Sequence, residues 1–335
     1  MTEPPPRART RRPAPGPLPP VVLARDLAPA DLQAGVRAGT LERIRPGAYR
    51  RRAASGGDQN SSASTADGRV AARELALARI AAISRALGTP FWFSHESAAL
   101  VWGCPLWTPP TETHVIQTIR PGRGGDPSLA RHLMSLAPAD RQEFRGVPIT
   151  SLDRTVADCL RQLPPLDALV IADGALRLGA DRAAIATRLE ALAGQRGVIG
   201  ARAVLDYADD GAESPWETFV RYVLVRFGLP RPELQVPIRT RLGWFWSDLG
   251  WTEWKQLIEF DGFAKYAGGP DPARAMFEEK RRQEAIEEEG WGVLRVTAPD
   301  LSRQHDLIRR VCRRLPPVVV ANLTPIRALQ PREPR

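Results

Sequence analysis

From residue 213 onward the apolar positions follow an ordered series of periods. Residues 214–227 repeat with helical spacing, and 234–239, 244–251 and 254–261 read as three strands in succession. Residues 272–289 form a long amphipathic helical pattern, 291–297 a further strand and 299–315 a final helix. The order αβββαβα predicts a mixed sheet flanked by helices. Two of the strands break their own pattern. Asp248 and the pair Glu259 and Asp261 stand where a half-buried strand normally carries Val, Ile or Thr.

Upstream the pattern is mixed. Residues 69–87 have a strong helical period, and a second helix spans 94–102, with Ser94 as its cap and Ser97 at the reciprocal position. Residues 113–119 read as a strand, 147–159 run from a strand into a helix capped by Ser151, 166–178 form an apolar helix and 183–205 finish with helical pieces. Residues 22–52 read as helix, turn, helix and hairpin. Leu32, Val36 and Leu41 supply the buried side, and residues 41–49 form a wing around Pro46-Gly47. That is the order of a small winged helix, in which a helix enters the major groove and the wing contacts phosphate. The expected fold class is a mixed α/β multidomain chain. It comprises a Pro/Arg-rich disordered arm (1–20), a winged-helix-like unit (21–52), a flexible linker (53–68), an α+β middle region (69–205), the αβββαβα domain (213–315) and a tail (316–335).

Charge adds a partner class. The net charge is +9, and residues 1–52 hold 11 Arg against four acids, so the basic excess lies near the amino terminus. Such a segment suits a polyanion, with DNA the expected partner and Arg37, Arg43, Arg45, Arg50 and Arg51 the expected contacts; a solubilising role is the alternative. No apolar run is long enough to predict a membrane span, residues 1–20 lack the apolar core of a secretory signal, and Cys104, Cys159 and Cys312 fit neither a disulfide framework nor a zinc site. These features predict a cytoplasmic protein without membrane contact.

Carboxylates in a strand cost free energy unless something compensates them, and hard oxygen ligands suit Mg²⁺ or Mn²⁺. Glu259 and Asp261, two residues apart, share a strand face, and Asp248 on the neighbouring strand, about 5 Å away, is placed to share a metal with Glu259. Glu217 reads either as the partner of Ser214 in a capping box or as a further acid of the site. Asp248 before Gly250 and Asp261 before Gly262 also have turn readings. The chain has only three lysines, Lys255, Lys265 and Lys280, all near these acids. Arg281 and Arg282 read as a phosphate clamp or as part of a solvated helix face with i,i+4 pairs, the solvated face being preferred. Trp244, Trp246, Trp251 and Trp254 read as core, the alternative being that one exposed ring stacks on a base. His95 reads as structural, and His114, His132 and His305 have no partners at metal-ligand spacing.

Residues 213–313 resemble the endonuclease-like domain of actinobacterial proteins related to the very-short-patch-repair (Vsr) enzymes, within the PD-(D/E)XK superfamily. The resemblance is carried by Glu213-Ser-Pro-Trp-Glu217, Leu229-Pro-Arg-Pro-Glu-Leu-Gln-Val236, Ser247-Asp248, Ile258-Glu-Phe-Asp-Gly-Phe-Ala-Lys-Tyr266, Glu278-Glu-Lys-Arg-Arg282 and Gly290-Trp-Gly-Val-Leu-Arg-Val296. More loosely, the upstream part is similar to AbiEi-like regulators through the wing at 41–49, Ser94-His-Glu-Ser-Ala-Ala and Pro148-Ile-Thr-Ser-Leu-Asp-Arg-Thr155. The first resemblance implies a metal-dependent DNA endonuclease, with Asp248, Glu259 and Asp261 binding Mg²⁺ or Mn²⁺ and Glu217 and Lys265 completing the site. The chain departs from that superfamily at Asp261, where a lysine is usual, and the resemblance then implies Lys265 as the nearest candidate for the catalytic cation, with Lys280 second. The second resemblance implies the alternative, a non-catalytic regulator of antitoxin type with a degenerate nuclease domain. An RNA-directed nuclease is a third reading. A homodimer and a partner protein both stay open.

Overall fold

The computed structural model describes residues 4–5, 15–52, 65–119, 126–261 and 272–331. In chain order the elements are β1 (Val22–Leu23), α1 (Pro29–Arg37), β2 (Leu41–Arg45), β3 (Ala48–Arg51), α2 (Thr65–Ala86), β4 (Trp92–Phe93), α3 (His95–Trp102), β5 (Thr113–Gln117), β6 (Leu129–Leu133), β7 (Arg141–Phe144), β8 (Val147–Thr150) and α4 (Leu152–Gln162). They continue with α5 (Pro165–Arg177), α6 (Arg182–Ala191), α7 (Val198–Tyr207), α8 (Pro215–Arg226), β9 (Glu233–Thr240), β10 (Gly243–Trp251), β11 (Gln256–Phe260), α9 (Pro272–Glu288), β12 (Gly292–Val296), α10 (Ala298–Ser302), α11 (Gln304–Cys312) and α12 (Pro317–Ala321). The chain is a mixed α/β protein with two compact units, one from Pro13–Leu163 and Leu178–Val198, the other from Pro164–Arg177 and Ile199–Arg335.

The first unit holds two sheets. A three-stranded antiparallel sheet, in the order β1-β3-β2, packs on α2 through Val21, Leu23, Ile44, Ala48, Ala78 and Ala82. A five-stranded mixed sheet, β6-β5-β4-β8-β7, packs on α2 and α3 through Ile80, Ile83, Phe93, Leu100, Val115 and Ile149. Three expectations change here. The first helix of the predicted helix-turn-helix is the short strand β1 followed by a single 3-10 turn, because Val22 and Leu23 pair with Tyr49 and Ala48 of the hairpin. Val36 is 46% exposed, so α1 does not bury the side expected of it. Residues 15–20 are not a loose arm: Leu18 packs against both apolar clusters, and the Pro17 carbonyl accepts a hydrogen bond from Arg145. Residues 1–3 and 6–14 of the expected arm, and residues 53–64 of the expected linker, lie outside the described residues; Thr65 already opens α2.

The second unit carries the four-stranded sheet β12-β11-β10-β9, antiparallel except for the parallel pair β11–β12. Val236, Ile238, Leu257 and Ile286 form its apolar seam with α9. Pro215 in the first turn and Ser214, whose Oγ accepts the Glu217 N–H at 3.2 Å, start α8 where the sequence places it. The single helix expected over 299–315 is two, α10 and α11, parted at Arg303, whose φ of −115° and ψ of 56° leave the helical region. The expected tail also belongs to this unit. Leu329 is fully buried, its carbonyl accepts the Tyr222 hydroxyl at 2.6 Å, and the Ile326 N–H donates to Arg226.

Candidate functional site

The sheet is irregular at one level, and the acids gather there. Strands β10 and β11 pair from Leu249↔Ile258 to Trp251↔Gln256. The ladder ends just before Asp248 would face Glu259. In its place an Asp248 carboxylate oxygen accepts the Phe260 N–H at 3.0 Å, a charge-assisted bond that satisfies a strand donor. On the other side, pairing with β9 skips from Ser247↔Val236 to Leu249↔Leu234. Gln235 at that break has φ of +54°, the left-handed region that costs a non-glycine residue about 1 kcal/mol or more.

Gln235 uses this conformation to donate its side-chain amide to Glu217 at 3.3 Å. The same Glu217 oxygen accepts the Glu213 N–H at 2.8 Å. Glu217 is 7% exposed. Burial, and then the charge of Asp248, push its carboxyl from the ordinary 4.5 up to about 7. The capping and site readings of Glu217 therefore coexist: its backbone N–H donates to Ser214, while its side-chain carboxylate accepts from Gln235 and Glu213 and feels the charge of Asp248.

Beside this pair lies a cavity of about 320 Å³, walled by Trp244, Trp246 and Phe260 with Asp248, Glu259, Asp261, Glu279, Arg282 and Arg295. The chain supplies its own cations there. Arg282 donates to Glu259 at 2.6 Å and to Glu279 at 3.3 Å. Arg295 reaches Glu279 at 2.5 Å and Asp261 at 3.6 Å. Burial is the largest single influence on Arg282 and lowers its pKa, but the Glu259 and Glu279 carboxylates together outweigh it and raise the pKa above its ordinary value. Among the described residues, the only group of three or more metal-capable side chains with ligand atoms within 4.8 Å of one another is His95, His114 and His132. Asp248, Glu259 and Asp261 line one cavity but do not converge that closely.

The amino-terminal arginines divide. Arg45 is bound to Asp126 through both Nε and Nη2, and Arg50 pairs with Glu42 at 2.9 Å. Arg37, Arg43 and Arg51 are exposed, Arg37 beside Gln33 and Arg43 against the Arg45 carbonyl.

Two Mycobacterium tuberculosis proteins, Uncharacterized protein MT2308 (strain CDC 1551 / Oshkosh) and Uncharacterized protein Rv2248 (strain H37Rv), are each 31% identical to this chain over 243 residues, 71% of this chain and 86% of theirs. The chain belongs to their family. No family model matches it.

For this family member the lysine expectations move most. Lys280 is exposed and faces Glu284 at 3.8 Å, away from the cavity. Lys255, at φ +48°, donates its ammonium to the Glu289 carbonyl at the end of α9, a structural contact. Lys265 lies outside the described residues. The solvated-face reading of Arg282 does not hold, because Arg282 lines the cavity and pairs with Glu259. Glu279 and Arg295 were missed as site residues. A signal existed for both. Glu279, Arg282 and Ile286 recur at i, i+3 and i+7, one helix face, and Arg295 is the strand neighbour of Glu259 in the parallel register. Trp251 is buried as expected, but Trp244 and Trp246 wall the cavity instead of filling the core.

Proposed function

We propose that the second unit is a divalent-metal-dependent DNA endonuclease of the PD-(D/E)XK type. The observation that carries this reading is the Glu217–Asp248 pair. Burial first, and the charge of Asp248 second, raise the Glu217 carboxyl to about 7, so two acids from different elements act on one another beside the cavity. A cation relieves such crowding, and an all-oxygen donor set suits Mg²⁺ or Mn²⁺. Glu217 and Asp248 are the residues that would hold the ion, with Glu259 joining them on release from Arg282. When bound, the ion would supply charge neutralisation at a phosphate and an acidified water.

The remaining roles fall to the chain. Glu217 is poised to take up or give back a proton near neutrality, as a general acid or base requires. Arg282 and Arg295 present guanidinium groups to the cavity, where they would bind phosphate oxygens. Trp244 and Trp246 offer apolar rings along the same wall, a surface on which a base would stack. The exposed Arg43 and Arg51 of the β2–β3 hairpin support a DNA substrate through phosphate contacts. In this reading Asp261 and Lys265 keep supporting places, Asp261 by positioning Arg295.

A second reading rests on the same arginines. Glu259 and Asp261 are already neutralised, which favours a regulator of AbiEi type that binds DNA without cutting it. Mg²⁺ and Mn²⁺ calorimetry combined with a supercoiled-plasmid nicking assay separates the two. Metal binding and nicking that are both lost in Asp248→Asn support the endonuclease. A folded wild type that binds DNA but neither metal nor cuts supports the regulator.

A further inference from the structure

Three of the four histidines, 18 or more residues apart in sequence, meet in the first unit. His95 opens α3, His114 lies on β5 and His132 on β6. The His95 and His132 rings are stacked at 4.0 Å between centroids, and His114 lies 5.3 Å from His132.

The hydrogen bonds sort the ring nitrogens into outward and inward sets. His95 Nδ1 faces Ser94 Oγ at 2.9 Å, while its Nε2 is buried without any hydrogen-bond partner. His114 Nε2 faces a Glu96 carboxylate oxygen at 3.5 Å, while its Nδ1 lies 3.1 Å from His132 Nε2. One nitrogen of each ring is turned from Ser94 and Glu96: Nε2 of His95, which has no partner, and Nδ1 of His114 and Nε2 of His132, which are paired with each other. We propose that these three nitrogens bind one divalent transition-metal ion of the Zn²⁺ class, a site separate from the carboxylate cavity.

Several features agree with an ion of that kind. Imidazole donors suit Zn²⁺ and leave hard Mg²⁺ unserved. Two ligands of a tetrahedral ion with bonds of about 2.0–2.1 Å sit roughly 3.3 Å apart, close to the His114–His132 separation. Glu96 and Ser94 are placed as outer partners that fix ring tautomers, as a carboxylate or hydroxyl commonly does behind a metal-bound imidazole. Burial lowers the pKa of all three rings, keeping their lone pairs available at neutral pH. His95 itself is held at φ +51°, a conformation uncommon outside glycine. The nearby charges are mixed: Arg154 and Arg161 on α4 oppose a cation at His95, and Glu96 favours one. Three nitrogens leave a fourth position for water or a small ligand.

The test uses the full chain stripped with a chelator, then titrated with Zn²⁺ by calorimetry and with Co²⁺ by visible absorption. The expected result is one Zn²⁺ per chain and the intense bands of tetrahedral Co²⁺, both retained in Asp248→Asn. His132→Gln should abolish the bands and weaken Zn²⁺ by more than the roughly 10–100-fold that loss of an outer partner costs, the effect expected for Glu96→Gln. His132 is part-exposed, so this variant should fold, and circular dichroism checks that. The wild type is decisive even without variants: no Zn²⁺ binding, or only the weak absorption of octahedral Co²⁺, overturns the site. So does binding that survives His132→Gln and disappears in Asp248→Asn, which would place the ion on the carboxylates.

Discussion

The Arg282 guanidinium lies 2.6 Å from a Glu259 carboxylate oxygen, so the strand acid with the strongest claim to a metal already has a cation of its own. The partner is an arginine from the next helix, 23 residues on, which also donates to Glu279. Removing it leaves two carboxylates facing the cavity without that donor. Arg282→Met should cost about 2 kcal/mol of stability without metal, the usual penalty for stranding part-buried partners. Millimolar Mg²⁺ should restore more of the thermal midpoint in the variant than it adds to the wild type. Equal midpoint shifts would show that Glu259 takes no part in cation binding.

The raised Glu217 pKa has a thermodynamic sign. In the unfolded chain the carboxyl ionises near 4.5, whereas in the fold it keeps its proton to about 7. Folding therefore binds a proton between those values, and stability falls as pH rises through that window. The accumulated loss is on the order of 3 kcal/mol for a shift of this size. Glu217→Gln cannot ionise and keeps an oxygen for the Glu213 N–H. Denaturant unfolding should show the variant matching the wild type near pH 4.5 and exceeding its stability at pH 7.5. Parallel pH curves for the two proteins would count against a buried, crowded Glu217.

Much of the second unit was legible because its signals are local. Ser214 and Pro215 mark the start of α8, alternation marks β9 to β11, and acids in a strand stand out at Asp248 and Glu259 whatever they contact. Arg282 was harder to read, since residues 278–289 are almost entirely charged and only Ala285 and Ile286 among them are buried to mark the inner face. The histidine cluster depends on pairing that no short window contains. Strands β5 and β6 are parallel in the register Ile116↔His132, and α3 delivers His95 from outside that pair. Ser94 is the N-cap residue of α3 as expected, but its hydroxyl makes no capping bond and instead meets His95, while Ser97 accepts the His114 N–H at 2.8 Å. Residues 316–335 read only as a tail, because their short apolar runs carry no period that shows Leu329 to be fully buried.

The arginines of the hairpin separate a structural role from a binding one. Arg45 holds Asp126 in a part-buried pair, whereas Arg43 and Arg51 are exposed. On the proposed DNA reading, Arg43→Ala and Arg51→Ala should each weaken duplex binding regardless of sequence. Each should also reduce the slope of log affinity against log salt by about 0.9. Arg45→Ala should lower the melting temperature instead. Fluorescence anisotropy at several salt concentrations measures the first effect and calorimetric melting the second. Unchanged salt slopes in both exposed-arginine variants would remove the hairpin from the interface.

Asp173 and Arg221 form a buried ion pair at 2.5 Å in the second unit, each about 1% exposed or less. The Asp209 N–H and the Thr218 hydroxyl complete the acid's coordination at 2.7 and 2.8 Å, and Arg221 also donates to the Tyr207 carbonyl. Burial alone raises the Asp173 pKa; the arginine and these donors work against that effect. A charge stranded in such a place costs roughly 3–5 kcal/mol. Asp173→Ala should therefore destabilise the protein by that amount, and Arg221→Met should do the same, since either leaves an ion without its partner. The double variant Asp173→Ala/Arg221→Met should recover much of the loss, because no unpaired charge remains. A double-mutant cycle by urea unfolding measures the coupling, and additive losses would mean that solvent reaches the pair.

The pH response of the first unit should run opposite to that of Glu217. Burial, and next the neighbouring His132, lower the His114 pKa from 6.5 to about 4, and His95 and His132 shift in the same direction. Between those values the unfolded chain takes up a proton that the folded rings refuse, so stability is full above pH 6.5 and falls as the solution is acidified toward 4. His114 alone accounts for about 3 kcal/mol of that loss. Proteolysis or hydrogen exchange resolved to β5, β6 and α3 should therefore show these elements opening first on acidification. His114→Gln should flatten the curve between pH 6.5 and 4, and Zn²⁺ should steepen it in the wild type, because protons then compete with the ion for the same nitrogens. A wild type equally protected at pH 7 and pH 5 would mean that the three rings are hydrated in solution rather than closed upon one another.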